Sequence, residues 1–432
     1  MTSSRGWGDR VETIDPALSL ESRRHLRRTL IVLAGLACLA VAAWAALSYW
    51  SKRDRVLTQV RILLREADGQ ADSHERLRAA ERAEKLLRAA GADDSTSHLF
   101  LATALAVQLA ENPHTPVRFE SELDERLTAV RLENCTISDL TLAASLFYAS
   151  GKLHQSDWIV SGALQPSPHQ TSEQRQAALR TAARIRFDLG EESRVLEHCY
   201  ELADLAPEDP FPWRVITLVY EQQNAPEAII EAYRKLLEFE SDSPELRRKL
   251  AARLIEVGNA PEAREQVEWL RTHAPAEWEE HAMLAGELLL LEGKPEEAER
   301  LADRRLEQDP DAADALLLKS RVLISRQEYA EAIALLTALI SDDPAHAQAH
   351  YLLGNAYARS GERELAQQHL DRQRKLLDTM VELHRLQRLV GRDPHDAELR
   401  LKIAFLYELL GDEANSRHWR ESAMAAHRSS GN

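Results

Sequence analysis

The chain has 432 residues, 44% hydrophobic, 29% charged and only 6% aromatic, with 16 glycines and 16 prolines; this excludes collagen-like and low-complexity tracts, disfavours a glycine-rich β fold and leaves a long α-rich chain as the expectation. A formal net charge of −16 repels a phosphate backbone, so nucleic acid is not an expected partner. Cys38, Cys135 and Cys199 show neither paired spacing nor an accompanying histidine cluster, so no disulfide framework, metal site or cofactor is expected.

Residues 1–28 form an arginine-containing tail. Residues 29–50, TLIVLAGLACLAVAAWAALSYW, run without a charge. A helix of that length covers roughly 33 Å against a hydrocarbon core of about 30 Å, so a transmembrane helix is expected. Trp44, Tyr49 and Trp50 gather at one end, and Arg23, Arg24, Arg27 and Arg28 at the other. The alternative is a cleaved signal peptide, for which Ala43 and Ala45 supply an A-x-A-like site. Basic residues on both sides nearly balance. Moving an arginine-rich tail across the bilayer is harder than moving a long following domain, so the tail is expected inside and the bulk extracytoplasmic, as a single-pass protein of a bacterial inner membrane. In residues 51–70, Val56, Leu57, Val60, Leu63 and Leu64 recur at helical spacing beside Lys52, Arg53, Arg55, Arg61 and Arg65. That stretch reads as a juxtamembrane stalk or as a helix lying on anionic lipid.

Residues 71–175 carry helical periodicity, with Leu77, Leu86 and Leu87, then Leu99, Leu101, Leu105 and Leu109, consistent with degenerate helix pairs; a weak unit begins near Ile137, with Gly151 at its turn and Pro168 at its close. From residue 176 to 430 a period of 34 is legible, with units beginning near Gln176, Pro210, Pro244, Glu279, Ala313, Ala347 and Ala397. The eighth position of each is small: Ala183, Thr217, Ala251, Gly286, Ser320, Gly354 and Ala404. Small side chains let two helices approach closely. Seven residues later come Gly190, Gly258, Gly293, Gly361 and Gly411, suited to the left-handed residue that ends a helix, with Asn224 and Gln327 in their place in two units. Ala263, Ala298, Ala332 and Ala366 follow, and Pro207, Pro275, Pro310 and Pro344 close the units. Residues 362–390 lack Gly and Pro, and Leu370, Leu376, Met380, Leu383, Leu386 and Val390 share one side, so one long or one extra helix is expected there, packing on the last unit or mediating self-association.

WRVITLVY at 213–220, MLAGELLLLEGKPEEAERL at 283–301 and YLLGNAYARSGERELA at 351–366 resemble the helix-turn-helix unit of the tetratricopeptide repeat family. The resemblance implies an all-α right-handed solenoid of about seven units over 176–430, with a concave groove, lined by first helices, that holds peptides or extended segments of partner proteins. Projected onto that groove are Arg180, Arg184, Phe187, Arg214 and Arg248, then Met283, Leu290, Leu291, Leu317, Ile324 and Tyr351, with Arg321, Asn355 and Arg359 interspersed. Two readings follow. Either the arginines hold a partner's carboxylates and the later apolar stretch takes its hydrophobic side chains, or the arginines pair with Glu245, Glu256 or Glu280 as a solvated face. Asn355 occupies a position at which some family members clamp a peptide carboxylate, but Tyr351 replaces the basic residue that the clamp also needs.

His346 and His350 stand four apart without a third ligand nearby, and no phosphate loop, dinucleotide fingerprint, zinc-protease motif or nucleophile elbow occurs. No enzymatic activity is expected. The first functional reading is a membrane-tethered scaffold or adaptor that assists assembly or localisation of an envelope complex; the alternative is a self-assembling membrane organiser whose solenoids stack on each other.

Overall fold

The computed structural model describes residues 52–430 apart from residues 71, 92, 113–117, 224, 276–277 and 391–395. The expected transmembrane helix at 29–50 and the tail before it lie outside the described residues. Among the described residues no helix is long and apolar enough to cross a membrane.

The described residues form helices and no strand. They run as α1 (52–69), α2 (Ser73–Ala90), α3 (Ser95–Glu111), α4 (Arg118–Ala129), α5 (Ile137–Ala149), α6 (Leu153–Ala163), α7 (Ser172–Leu189), α8 (Glu192–Leu205), α9 (Phe211–Gln223) and α10 (Pro226–Phe239). They continue as α11 (Pro244–Glu256), α12 (Ala260–His273), α13 (Trp278–Leu291), α14 (Pro295–Gln308), α15 (Ala313–Ser325), α16 (Tyr329–Asp342), α17 (Ala347–Ser360), α18 (Arg363–Val390), α19 (Ala397–Leu409) and α20 (Glu413–Ser430). Local chemistry sets the ends. At α7 the Thr171 hydroxyl accepts from the Gln174 amide at 3.2 Å, and the Gln174 side chain accepts from the Thr171 amide at 3.1 Å, a reciprocal cap that satisfies two otherwise orphaned donors. Proline begins α10, α11 and α14, where its missing N–H costs nothing.

Each odd-numbered helix from α5 onward packs against the next as an antiparallel hairpin, and each hairpin packs on its successor. The small residues are the reason. Ala183, Ala251, Ser320 and Ala404 are fully buried on the first helices, and Ala263, Ala298 and Ala332 on the second. A Cβ added to Gly354 would stand 2.7 Å from Cγ of Leu370 on α18 and 3.2 Å from the Ala366 carbonyl oxygen, so the Leu370 side chain packs directly on the α17 backbone. Hairpins turn through residues with φ between 74° and 97° at Gly190, Gly258, Gly293, Gly361 and Gly411. Gln327 takes that role between α15 and α16, with φ 69°. A side chain in that left-handed region costs roughly 1–2 kcal/mol. Glycine removes this cost but adds unfolded-chain entropy, so Gln327→Gly is expected to raise stability by about 0.5–1 kcal/mol. Urea denaturation would check it, and a lower midpoint for the variant would contradict the strain at this turn.

The N-terminal helices belong to the solenoid. Leu57, Val60 and Leu64 of α1, with Val56 and Leu63 beside them, enter one apolar cluster with Ala80, Phe100, Leu105, Leu140, Phe147 and Ala182. Arg61 reaches α5 and forms a two-pronged ion pair with Asp139, Nε to Oδ1 at 2.7 Å and Nη2 to Oδ2 at 2.8 Å. The carboxylate is almost wholly enclosed. Helix α1 is therefore neither a free stalk nor a helix lying apolar-face-down on lipid, because its apolar stripe is spent on protein.

At the other end, α18 is one continuous helix. Its first half completes the hairpin with α17, and Leu383, Leu386 and Val390 of its second half pack with Ile403, Leu399, Leu406 and Tyr407 of α19. Met380, expected on the packed side, is exposed, as are Leu377 and Val381.

Candidate protein-binding groove

First helices touch their counterparts in the next hairpin at α3–α5, α5–α7, α7–α9, α11–α13, α13–α15 and α15–α17, while second helices do not approach one another to that extent among the described residues. The first helices therefore lie on the inside of the bend. Side chains projecting from them without being consumed by packing form the candidate surface.

The arginines expected there are mostly engaged within the chain. Arg180 is ion-paired with Asp209 and lies with its guanidinium carbon 4.7 Å from the ring centroid of Phe211; Arg184 lies 5.2 Å from the same ring. One ring thus carries two cations, a contact of about 0.5–1 kcal/mol at an exposed site. Arg214 donates to Glu240, with Nε–Oε1 at 3.1 Å. Arg248 makes two bonds to Glu245, at 2.9 and 3.1 Å, and this guanidinium holds the Glu245 carboxyl below the usual carboxylate range. Arg321 stands 3.7 Å from Glu287. Arg184 and Arg359 are exposed, and neither has a carboxylate partner among the described residues.

The apolar half of the expected groove needs correction. Met283, Leu317 and Ile324 are 8%, 6% and 7% exposed and fill the contacts between neighbouring helices, not the surface. Phe187 and Leu290 are half-buried against the same kind of core. In these helices apolar residues occur on both the inner and the lateral faces, and a large aliphatic side chain goes where it loses the most water contact, which is the lateral face. Tyr351 and Leu291 are exposed, and Asn355 is half-buried. Three exposed apolar side chains were missed: Leu218 on α9, and Leu401 and Phe405 on α19. The signal was present, since they hold the same fifth and ninth unit positions that selected Arg184, Arg214 and Tyr351. Leu401 and Phe405 line a shallow cavity of about 350 Å³ with Glu382, Leu386 and Lys402.

Burial pushes the Cys135 thiol up to about 11 and the Cys199 thiol up to about 12, so both are protonated and inert near neutrality. Among the described residues no group of three or more His, Cys, Asp or Glu side chains is placed to hold a metal ion.

The family model for the tetratricopeptide repeat matches residues 289–340 and 323–378. Residues 289–378 are tetratricopeptide repeats. The matched repeats run from the end of α13 to the middle of α18, and include Gly354 and the turn at Gln327. No curated protein matches the chain. Among solved structures it is similar to a tetratricopeptide repeat protein from Parabacteroides merdae, at 13% identity and a TM-score of 0.44 over 67% of this chain and 98% of that one. It is also similar to YrrB, described as having an unusual peptide-binding site, at 23% identity and a TM-score of 0.25 over 43% and 96%. A third is pilF of Pseudomonas aeruginosa, at 16% identity and a TM-score of 0.31 over 46% and 90%.

Proposed function

We propose that this repeat protein is a non-catalytic scaffold that holds a partner protein against its inner surface and is tethered to a membrane by residues 29–50. The observation that carries the reading is the set of side chains left exposed on the first helices, Arg184, Leu218, Tyr351, Arg359, Leu401 and Phe405, on a fold whose other first-helix side chains are largely spent on packing or ion pairs. Exposed aromatic and arginine side chains are the types that dominate protein interfaces. The family's habit of binding peptides in this groove supports the same reading. The partner chemistry it favours is an extended segment offering carboxylates near Arg184 and apolar side chains near Tyr351 and Phe405. Assembly or localisation of an envelope complex is the role proposed for such a tether.

Crosslinking from native membranes would identify the captured partner. Changing Arg184, Tyr351 and Phe405 together to alanine is expected to weaken that capture by about tenfold or more without unfolding the chain, since all three are exposed. Capture by the triple variant at the wild-type level would remove the reading. Orientation is tested separately: proteolysis of intact spheroplasts should degrade residues 52–430, and their protection would place them on the cytoplasmic side.

A second reading is favoured by the exposed stripe Leu377, Met380 and Val381 on α18 and by Met424 on α20, which suit contact between copies of the chain. Sedimentation that grows open-endedly with concentration supports such an organiser; a concentration-independent monomer supports the adaptor.

A further inference from the structure

His350 of α17 and His369 of α18 face each other across the hairpin, Nδ1 to Nδ1 at 2.9 Å, with ring centroids 5.2 Å apart. His350 Nε2 lies 3.2 Å from the Pro344 carbonyl oxygen. A carbonyl only accepts, so that nitrogen carries the hydrogen and, in the neutral ring, Nδ1 is bare. His369 must then donate its Nδ1–H to His350. Tyr357 also stacks on His369, with ring centroids 5.5 Å apart and an interplanar angle of 11°, and restrains that ring.

One added proton fits this arrangement. It goes to Nε2 of His369 and leaves the bond between the rings in place, although burial opposes the added charge. A second proton has only Nδ1 of His350 to occupy. Two N–H groups would then point at each other across 2.9 Å, between two cations in a half-buried contact. Around the pair, Arg372 of α18 and His346, which caps α17, oppose added charge, and Asp343 at the end of α16 favours it. We propose that the pair is a proton-sensitive clasp on α18: it holds with at most one added proton, and opens when both rings are charged, loosening α18 and the helices docked on it.

The clasp sits where it has leverage. Leu370, next to His369, covers Gly354, and Arg372 donates to the Leu409 carbonyl oxygen of α19 at 3.4 Å. Helix α18 also touches α7 at the start of the array. Burial holds both rings below the ordinary histidine value of 6.5. A folded value below the unfolded one means that the opened state takes up protons more readily. The stabilisation is therefore full above the ordinary value and is lost as pH falls through the folded values.

Hydrogen exchange of the full chain at about pH 7.5 and about pH 5.5, corrected for intrinsic rates, tests this. Wild-type α17 and α18 are expected to lose protection by about tenfold at the lower pH while α15 and α16 keep theirs. His369→Gln retains a donor and an acceptor but does not titrate, and should keep its protection at both values. If that variant is already unprotected at the higher pH, His369→Phe, which preserves the stack on Tyr357, is read in its place. Unchanged protection of wild-type α18, a uniform loss over all helices, or an equal acid loss in the non-titrating variant would each overturn the clasp. His198 is also held low by burial, but it lies on α8, so its titration reads out in different peptides.

Discussion

Phe100→Ala is expected to destabilise the N-terminal part of the array by about 3–5 kcal/mol, the largest effect of any substitution considered. The ring is wholly buried on α3, in the cluster that also receives Leu57, Val60 and Leu64 from α1 and Phe147 from α5, and the Arg61 guanidinium lies 5.9 Å from its centroid. Truncation removes the transfer free energy of the ring and leaves a cavity that α1, α3 and α5 cannot all close in on. It also withdraws the apolar wall beside the Arg61–Asp139 pair. Because repeat arrays unfold in parts, the cost should be read from the transition of residues 52–200 by hydrogen exchange under increasing urea, not from a single global midpoint. A cost below about 1 kcal/mol would show that α1 and α3 do not share a core, and the N-terminal helices would revert to a stalk.

Gly354→Val is the second, at about 1–3 kcal/mol and toward the upper end. The added atoms meet Cγ and Cδ2 of Leu370 at 2.7 and 2.8 Å, and the Ala366 carbonyl oxygen at 3.2 Å. A branch-point carbon and a backbone oxygen cannot step aside as a terminal methyl can. The equivalent glycine two units earlier gives an internal comparison, since the three atoms nearest a Cβ at Gly286 all belong to the Leu318 side chain, and the nearest is a terminal methyl. Alanine should therefore cost more at Gly354 than at Gly286, although both hold the eighth position of their units. Thermal unfolding of the two alanine variants decides it. The reverse order would mean that α17 and α18 are not in the close contact described.

The repeat was legible because its constraint is local and recurs: a helix pair can nest only if one residue on each helix is small, and a tight turn between them favours glycine. Ala183, Ala251, Gly354 and Ala404 announce this without any knowledge of what they touch. Gln327 shows the margin of the rule. The turn forms there at the cost of one strained residue, because α15 and α16 together bury enough apolar surface to impose it.

The candidate surface was less legible, for a physical reason visible in two sets of side chains. Met283, Leu317 and Leu401 are all large apolar residues at the fifth position of their units, yet the first two are buried and the third is exposed, as are Leu218 and Phe405 at the ninth. Position along a helix fixes the direction in which a side chain leaves the axis, but whether a neighbouring helix stands in that direction depends on how far each hairpin rotates from the one before. Likewise, sequence showed arginines near carboxylates, and only the folded chain chose Asp209 for Arg180 and Glu240 for Arg214.

Sequence alone determined that this protein is a stack of helix pairs, because spacing, turn residues and helix stops act within some thirty-four residues of chain. Tertiary structure decided that α1 is part of the stack, that α18 runs unbroken into the packing of α19, and that His350 meets His369 across a hairpin. Those three outcomes depend on burial and hydrogen bonding between residues distant in the chain, whose partners are fixed only when the helices are laid side by side.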